Sequence, residues 1–396
     1  MTTSATVRLM PRTDARRIRF GFPWVYDNEM VVDRRTKSLE AGSLAVLQDA
    51  ERTPLGLVAV SPGSKIFCRM LDRNPEAEID QTWFAARLSV AQAMRARLYD
   101  TPFYRLVHAE ADGLPGVIID RFGDVAVIQP NAAWAEARLD LLVAALQEVT
   151  GVSHVFKNAA GRARTLEGLS DISQVLVGAI DAPVPVPMNG ATYLADLTGG
   201  QKTGLYFDQR DNHAFAQRLA SGARVLDVFS HVGGFSLAAL AGGAVHALAL
   251  DGSEPALDLA RQGADASGVA DRFETRKGDA FDAMTALAEE GQSFDLVVCD
   301  PPAFAPSKKA LDAGLRAYER VARLGAALVE PGGYLALCSC SHAATLDKFR
   351  MASIRGIGRA GRQCQLIHSG TAAPDHPLHP QLAESGYLKA LFFRIL

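Results

Sequence analysis

Two short motifs, each at the end of an apolar run, carry side chains that could do chemistry. Asp-Pro-Pro occupies positions 300–302 after the apolar run 294–299, and Ser-Cys-Ser occupies 339–341 after the run 334–338. A carboxylate can hold the hydrogen-bond donors of a planar base, and a thiolate can add to an electron-poor ring carbon and leave again. Together these groups predict covalent chemistry on a pyrimidine, and methylation of ring carbon C5 is the reaction that demands both.

Cys340 is the candidate nucleophile of this pair, and Asp300 is the candidate carboxylate. Cys340 lies further towards the loop than Cys338, which continues the strand, and Cys299 precedes Asp300 within its own strand. A strand-end cysteine alone is more often a small buried hydrophobe, but the neighbouring carboxylate favours the catalytic interpretation. His342 could shuttle a proton, although an exposed loop histidine without a catalytic part is the simpler interpretation.

The Asp-Pro-Pro loop is also the candidate surface for the base. Two prolines fix φ and remove two N–H donors, so neighbouring carbonyl groups can face a ligand. Phe304 could stack on the base, with core packing as its alternative role. Pro301, Pro302 and Phe304 are therefore the substrate-binding candidates in this loop. Amine methyltransferases use an aromatic residue after a similar stretch, so this motif alone leaves nitrogen open as the target.

The loops after the two preceding strands suggest a nucleotide cofactor. Adjacent glycines at 233–234 let the backbone approach a ligand closely, and a helix opening at Ser236 offers free N–H groups. Asp251 could accept both ribose hydroxyls of an adenosine, and Asp279 could meet the adenine amino edge; a helix N-cap is the alternative role for Asp251. The cofactor-binding candidates here are Asp227, Phe229, Ser230, Gly233, Gly234, Asp251, Gly252, Ser253, Asp279 and Ala280.

The order of apolar segments predicts how these loops are positioned. Short strands with turns fill the first 75 residues, and helical spacing follows over 81–98 and 133–149. From position 193 onwards, strands at 225–229, 245–250, 294–299 and 334–338 alternate with helices. That alternation is typical of a parallel, doubly wound sheet, in which ligands bind at the carboxyl ends of the strands.

Composition excludes several classes of protein. The chain has 396 residues, 48% hydrophobic and 21% charged, as expected of a globular protein with two or three domains. No signal-peptide core or membrane-length apolar run is found, so we expect a cytoplasmic protein without a membrane partner. Five cysteines without paired spacing predict neither a disulfide framework nor a metal site. The net charge of −3 gives no global nucleic-acid footprint.

The motifs, taken together, resemble the bacterial 23S rRNA cytosine-5 methyltransferase I family. The resemblance covers Lys-Thr-Gly-Leu-Tyr-Phe-Asp-Gln-Arg-Asp at 202–211, Phe-Ser-x-x-Gly-Gly-Phe at 229–235, Asp-Pro-Pro-x-Phe at 300–304, and Ser-Cys-Ser. His-Pro at 376–377 and Tyr-Leu-Lys at 387–389 complete the series, and the segment 16–26 is similar to the start of the family's PUA domain. The family usually has Lys at the place of Ala303, and commonly Tyr-Thr at positions 231–232.

This resemblance implies S-adenosylmethionine as cofactor, S-adenosylhomocysteine as product, and 5-methylcytosine in large-subunit (23S) ribosomal RNA as the modification. It implies that Cys340 is the nucleophile and that Asp300 holds the base, and it adds Gln209 and Arg210 to the cofactor-binding candidates. Eight basic residues lie between positions 8 and 37, against four acidic ones; the candidate phosphate contacts among them are Arg16, Arg17 and Arg19. A homodimer is typical of PUA-containing relatives, and no DNA partner is expected.

The implied fold class is α/β with three domains. A PUA-like RNA-binding β-barrel is expected at 1–75, and a central α+β domain of the order strand-strand-helix-strand-strand at 76–192. A Rossmann-like class I methyltransferase domain with a mainly parallel, doubly wound sheet is expected at 193–396. Two other functions stay open: a non-covalent amine methyltransferase acting through Asp-Pro-Pro, and a catalytically silent RNA-binding factor in ribosome assembly.

Overall fold

Residues 5–199 and 204–396 are described in a computed structural model of the chain, and they divide into two units. The first unit is Met1–Asp181 with Asp375–Ser385, and the second is Ala182–Pro374 with Gly386–Leu396. The start of the motif at 202–211, Lys202-Thr203, lies outside the described residues. The predicted three-way division at 75 and 192 stays a prediction.

The first unit begins with a mostly antiparallel sheet and continues with a second sheet packed on helices. Its first elements are β1 (Ala5–Arg8), α1 (Ala15–Arg19), β2 (Trp24–Tyr26), α2 (Arg34–Lys37), β3 (Ser43–Gln48), β4 (Pro54–Val60) and β5 (Ile66–Asp72). They are followed by α3 (Gln81–Leu98), β6 (Phe103–His108), β7 (Val117–Phe122), β8 (Val125–Pro130), α4 (Ala133–Glu136), α5 (Leu139–Thr150), β9 (His154–Lys157), α6 (Arg162–Leu166) and β10 (Gln174–Val177). The strand orders are β1-β3-β4-β5-β2 and β10-β9-β8-β7-β6.

The sequence pattern accounts for these elements, with two differences. Alternating apolar residues of β3, β4 and β5 form one buried cluster, while one face of α3 packs on the second sheet. The helix predicted over 133–149 is interrupted at Arg138, whose φ of −126° is not helical and whose guanidinium donates to the carbonyls of Gly42 and Trp134. Three strands, β6 to β8, precede these helices, one more than the expected order has.

The second unit contains the predicted alternation of strands and helices. Its elements are β11 (Val184–Met188), β12 (Ala191–Ala195), α7 (Arg210–Leu219), β13 (Arg224–Val228), α8 (Gly234–Ala241), β14 (His246–Asp251), α9 (Glu254–Ala266) and β15 (Phe273–Lys277). After them come α10 (Ala280–Glu289), β16 (Phe294–Cys299), α11 (Leu311–Ala327), β17 (Val329–Ser339), α12 (Leu346–Arg359), β18 (Cys364–Gly370) and β19 (Lys389–Ile395).

A seven-stranded sheet forms the core of this unit within the described residues, in the order β15-β14-β13-β16-β17-β19-β18. The first five of these strands are parallel, and β19 runs antiparallel between β17 and β18. Their central residues are apolar and buried because helices cover both faces. The predicted α/β fold class is confirmed, with four of its strands at the predicted places. Strands β15, β18 and β19 were not predicted by the apolar pattern.

The described part of the chain contains neither a membrane-spanning helix nor a metal-binding cluster. In residues 5–199 and 204–396, no helix combines the length and apolar character needed to cross a membrane. In the same residues, no group of three or more His, Cys, Asp or Glu side chains is arranged to hold a metal ion.

Candidate active site

The carboxyl ends of β13, β14, β16 and β17 lie at one edge of the sheet because these strands are parallel. The loops that leave this edge carry the predicted cofactor and acceptor residues. The loops after β13 and β14 belong to one half of the sheet, and the loops after β16 and β17 belong to the other half. A backbone hydrogen bond from Asp300 N to Val228 O, 3.2 Å long, joins the two halves at their boundary.

The loop after β13 has a strained backbone. Phe229 and His231 have positive φ values of 64° and 50°, and Gly233 has 79°. A left-handed conformation costs a non-glycine residue on the order of 1 kcal/mol, and such strain is concentrated at functional sites. A Cβ added at Gly234 would lie 2.8 Å from His213 Nε2, so α8 begins in close contact with α7. The glycine pair therefore serves close packing as well as a left-handed turn.

Asp227 is the buried carboxylate beneath this loop. Its Oδ2 accepts hydrogen bonds from Ser236 N, at 2.9 Å, and from Ser236 Oγ, at 2.8 Å. Helix α8 begins at Gly234, two residues before the predicted start at Ser236, and Ser236 lies buried in its first turn. Among the described residues, neither Asp227 Oδ1 nor Ser230 Oγ has a hydrogen-bond partner, although both atoms are buried. Two such orphaned acceptors indicate a ligand that brings its own donors.

Replacing Asp227 with asparagine is expected to stabilise the cofactor-free protein at neutral pH. Burial raises the pKa of Asp227 from 3.8 to about 6. Between these values the folded chain keeps a proton that the unfolded chain has released, so stability falls as the pH rises through this window. Above the folded-state pKa, the free energy of unfolding is lower by on the order of 3 kcal/mol, because each pH unit between the two pKa values contributes about 1.4 kcal/mol. The asparagine cannot ionise, and its side-chain oxygen can still accept from Ser236.

Thermal denaturation of both proteins without cofactor tests this expectation. The melting temperature of Asp227→Asn should exceed that of the parent at pH 7.5, and the difference should shrink towards pH 5. Equal differences at the two pH values would show that Asp227 is already ionised at the lower pH, contrary to its burial.

Asp251, at the end of β14, organises the second loop. Its Oδ2 accepts from His231 N at 2.9 Å, and its Oδ1 accepts from Ser253 N at 2.8 Å. The N-cap of α9 is Ser253, not Asp251, so the alternative role considered for the aspartate is wrong. Each carboxylate oxygen has a further lone pair for a hydroxyl donor. Gly252 is exposed, and a Cβ added there would meet only Gly278 O, at 3.9 Å.

Asp279 begins α10 beside a buried Ala280. Its Oδ1 accepts from Phe281 N at 2.9 Å and from Asp282 N at 3.2 Å, which makes it the N-cap of that helix. The predicted contact with an adenine stays a prediction.

These groups fit S-adenosylmethionine. Asp227 and Ser230 offer unpartnered buried acceptors for an ammonium group, and Asp251 offers carboxylate oxygens for the two ribose hydroxyls. The open surface at Gly252 leaves space beside that carboxylate. These acceptors therefore match the ammonium and hydroxyl donors of a charged amino-acid nucleoside.

On the acceptor side, Asp300 is held by Gln209. The Gln209 Nε2 donates to Asp300 Oδ2 at 2.9 Å, and Gln209 Oε1 accepts from Asn212 Nδ2 at 2.6 Å. Gln209 is buried, so this chain of amides fixes one carboxylate oxygen firmly. The cofactor role predicted for Gln209 and Arg210 stays a prediction; Arg210 begins α7 with its guanidinium 5.4 Å from the Phe207 ring.

Cys340 follows the last residue of β17 and is flanked by two buried serines. Ser339 Oγ donates to the Tyr318 hydroxyl at 2.9 Å, and the Ser341 Oγ lies 2.7 Å from the same hydroxyl. Ser341 Oγ also accepts from Ala305 N at 2.9 Å, which ties this loop to the one after Asp300. Both serines are fully buried, whereas Cys340 between them is partly exposed.

The Tyr206 ring lies beside the loop after β13, with its centroid 5.1 Å from that of His231. Burial raises the pKa of Tyr206 to about 12, with further contributions from the negative charges of Asp208, Asp300, Cys340 and Asp251. Tyr206 lies in the motif at 202–211 and was given no role in the sequence analysis.

The remaining cysteines and loop residues occupy less reactive positions. Burial raises the pKa of Cys338 well above that of a free thiol, and burial likewise raises the pKa of Cys299. Both therefore stay protonated, as expected of packing residues. Phe304 is half-buried, with its ring centroid 5.0 Å from that of Tyr318. Pro301 is buried and Pro302 is exposed.

The three predicted phosphate contacts lie in or beside α1 of the first unit and differ in their surroundings. Arg17 pairs with Glu29, and Arg19 pairs with Asp49. Arg16 is exposed and forms no ion pair within the residues that the structure describes. Its charge is therefore the most available of the three.

Family models match both parts of the chain. A model described as an S-adenosylmethionine-dependent methyltransferase matches residues 172–394, and a PUA-like domain matches residues 7–73. A ribosomal RNA large subunit methyltransferase I of Alteromonas mediterranea is 36% identical over 98% of each chain. A ribosomal RNA large subunit methyltransferase of Deinococcus radiodurans is also 36% identical, over 96% of this chain and 94% of its own.

Solved structures share the fold over nearly the whole chain. A chain from Streptococcus mutans, described as a SAM-dependent methyltransferase, superposes with a TM-score of 0.82 at 19% identity, covering 98% of this chain and all of its own. A second structure, described as a methyltransferase complexed with SAH, gives 0.82 at 20% identity, over 98% of this chain and 99% of its own.

Proposed function

The chain belongs to the S-adenosylmethionine-dependent ribosomal RNA large subunit methyltransferases, and from that premise we propose that it forms 5-methylcytosine in 23S ribosomal RNA through a covalent bond between Cys340 and the base. The observation that carries the proposal is the position of Cys340. Its thiol is partly exposed at a strand end between two serines that are fixed in the interior, and Ser341 Oγ ties this loop to the Asp300 loop by accepting from Ala305 N at 2.9 Å.

The chemistry explains why both groups are needed. Cytosine C5 is a poor nucleophile, and addition of the Cys340 thiolate to C6 moves electron density onto C5. S-adenosylmethionine, when bound, supplies a methyl group on a positively charged sulfur. A base must then remove the C5 proton so that the thiolate can leave and the ring double bond can form again. Asp300 accepts from the cytosine amino group and holds the ring against Cys340 during these steps.

The substrate must reach a thiol at the edge of the sheet, so the target nucleotide has to be unstacked from its neighbours. In single-stranded or loop RNA the free energy needed to unstack the nucleotide is lowest, and proteins usually recognise RNA sequence in such regions. Phosphate contacts by the PUA-like domain would hold the strand without reading its sequence.

Arg16 is the side chain of that domain for which we expect the clearest phosphate effect. Arg16→Ala should weaken binding to a ribosomal RNA fragment about threefold to tenfold and lower the slope of log Kd against log salt by about one. Arg19→Ala is the matched comparison, because Asp49 already neutralises that guanidinium. Fluorescence titration at several salt concentrations measures both variants. A larger effect from Arg19 than from Arg16 would contradict this assignment.

Mapping of modified cytosines tests the function itself. Ribosomal RNA that lacks the modification is incubated with the protein and S-adenosylmethionine, and methylated positions are then identified by bisulfite sequencing and nucleoside mass spectrometry. New 5-methylcytosine in 23S RNA is the expected result. A methylated exocyclic amine would instead support the amine methyltransferase, and binding without methyl transfer would support the assembly factor.

A further inference from the structure

Lys389, the first residue of β19, is a buried lysine that holds the Cys340 loop. Its Nζ donates to the carbonyl of Ser341 at 2.7 Å and to the carbonyl of Ala344 at 2.7 Å. The residue is only 7% exposed. Among the described residues no carboxylate pairs with it, so its positive charge is balanced by carbonyl dipoles alone.

The same residue also holds the other side of Cys340. In the antiparallel pairing of β17 with β19, Lys389 lies opposite Ser339. Its backbone therefore fixes the residue before Cys340, and its ammonium group fixes the residue after it. Burying an ammonium group costs more free energy than burying a neutral donor, and a neutral donor could form the same two hydrogen bonds.

We propose that Lys389 is a positioning residue that fixes the Cys340 loop from both sides and places an uncompensated positive charge beside the sulfur, so that Cys340 reacts as a thiolate. The proposal rests on the proposed function only in that Cys340 is the nucleophile. Burial lowers the pKa of Lys389, while the charge of Cys340 raises it, and this attraction is mutual. The lysine therefore favours the ionised sulfur.

Among the residues that the structure describes, the other titratable groups around Cys340 do not supply this charge. Tyr206 and Tyr318 face it, and burial raises the pKa of both phenols, so they are neutral near pH 8. Asp300 is negative and opposes a second anion. His342 is exposed at the start of the following turn. Within residues 5–199 and 204–396, Lys389 is thus the buried cation of this group.

Alkylation of Cys340 in the full-length protein tests the proposal without RNA. The rate of reaction with iodoacetamide is followed from pH 6 to pH 10 by mass spectrometry of the Cys340 peptide. In Lys389→Gln, which keeps a donor for the carbonyls but has no charge, the pH midpoint should rise by about one unit and the rate at pH 7.5 should fall about tenfold. Lys389→Arg should keep the midpoint of the parent.

Tyr318→Phe is the matched control because it removes the hydroxyl between the two serines and leaves the charge in place. The pH midpoint of Cys340 alkylation in this variant should equal that of the parent protein, even if methylation is slower. Melting temperature and S-adenosylmethionine calorimetry check that each variant is folded. An unchanged midpoint in a folded Lys389→Gln would overturn the proposal, whatever its methylation rate. Because alkylation needs no RNA, the absence of 5-methylcytosine would refute the proposed function separately.

Discussion

Cys340→Ala is expected to lower methylation by at least about 10³-fold, since the removal of a covalent nucleophile has effects of this size or larger. Cys338→Ala is the matched control, because the second thiol is buried and its pKa is raised well above that of a free thiol. It should keep turnover within a few-fold of the parent. Transfer of labelled methyl groups to unmodified ribosomal RNA measures both variants. Near-normal turnover in Cys340→Ala would exclude the covalent mechanism and favour an amine as target.

The covalent bond itself can be trapped. RNA that contains 5-fluorocytosine cannot lose a proton from C5, so the adduct with Cys340 should persist and migrate as a stable protein–RNA species on a denaturing gel. The adduct should form with Cys338→Ala and be absent with Cys340→Ala.

Asp300→Asn is expected to have the second-largest effect, a loss of kcat/KM of roughly 10²-fold. The asparagine amide presents a donor where the cytosine amino group needs an acceptor. The substitution also removes a hydrogen bond to Gln209, so a control must separate these two effects. In the double variant Asp300→Asn with Gln209→Glu, the 300–209 hydrogen bond can form again with donor and acceptor exchanged.

Steady-state kinetics of the single and double variants distinguish the two causes. If Asp300 holds the base, the double variant stays as slow as the single one. Recovery of activity in the double variant would show that Asp300 serves mainly to fix the loop. Calorimetry with S-adenosylmethionine should give similar affinities for all three proteins.

The candidate site residues could be predicted to share one edge of the sheet because parallel strands bring their carboxyl ends together. Apolar runs that end in Asp300 and in Cys340 are local signals, and the order of strands follows from their alternation with helices. The left-handed backbone at Phe229 and His231 could not be predicted from the sequence, because glycine is the residue type that usually indicates a positive φ. The loop could therefore be identified, but its strain could not.

The residues that were missed come from distant parts of the chain. Lys389 holds the loop that contains Cys340 only because β19 pairs antiparallel with β17, a pairing that no short pattern predicts. Tyr318 contacts the serines from the middle of α11, where its spacing marks it as an ordinary core residue. Gln209 was predicted as a cofactor-binding residue, but its hydrogen bond to Asp300, across 91 residues of sequence, was not predicted. Hydrogen bonds of this kind depend on tertiary structure.

The boundary between β13 and β16 has a consequence for how such a protein can diverge. Strands β13 to β15 carry one set of loops and β16 to β17 carry the other, and the parallel pairing of β13 with β16 joins the two sets. Under the proposed function, substitutions in the loops after β16 or β17 are expected to change which atom is modified, while the loops proposed to hold the cofactor stay unchanged. A new target could then evolve in this scaffold by changes in the loops after β16 and β17, while S-adenosylmethionine remains the methyl donor.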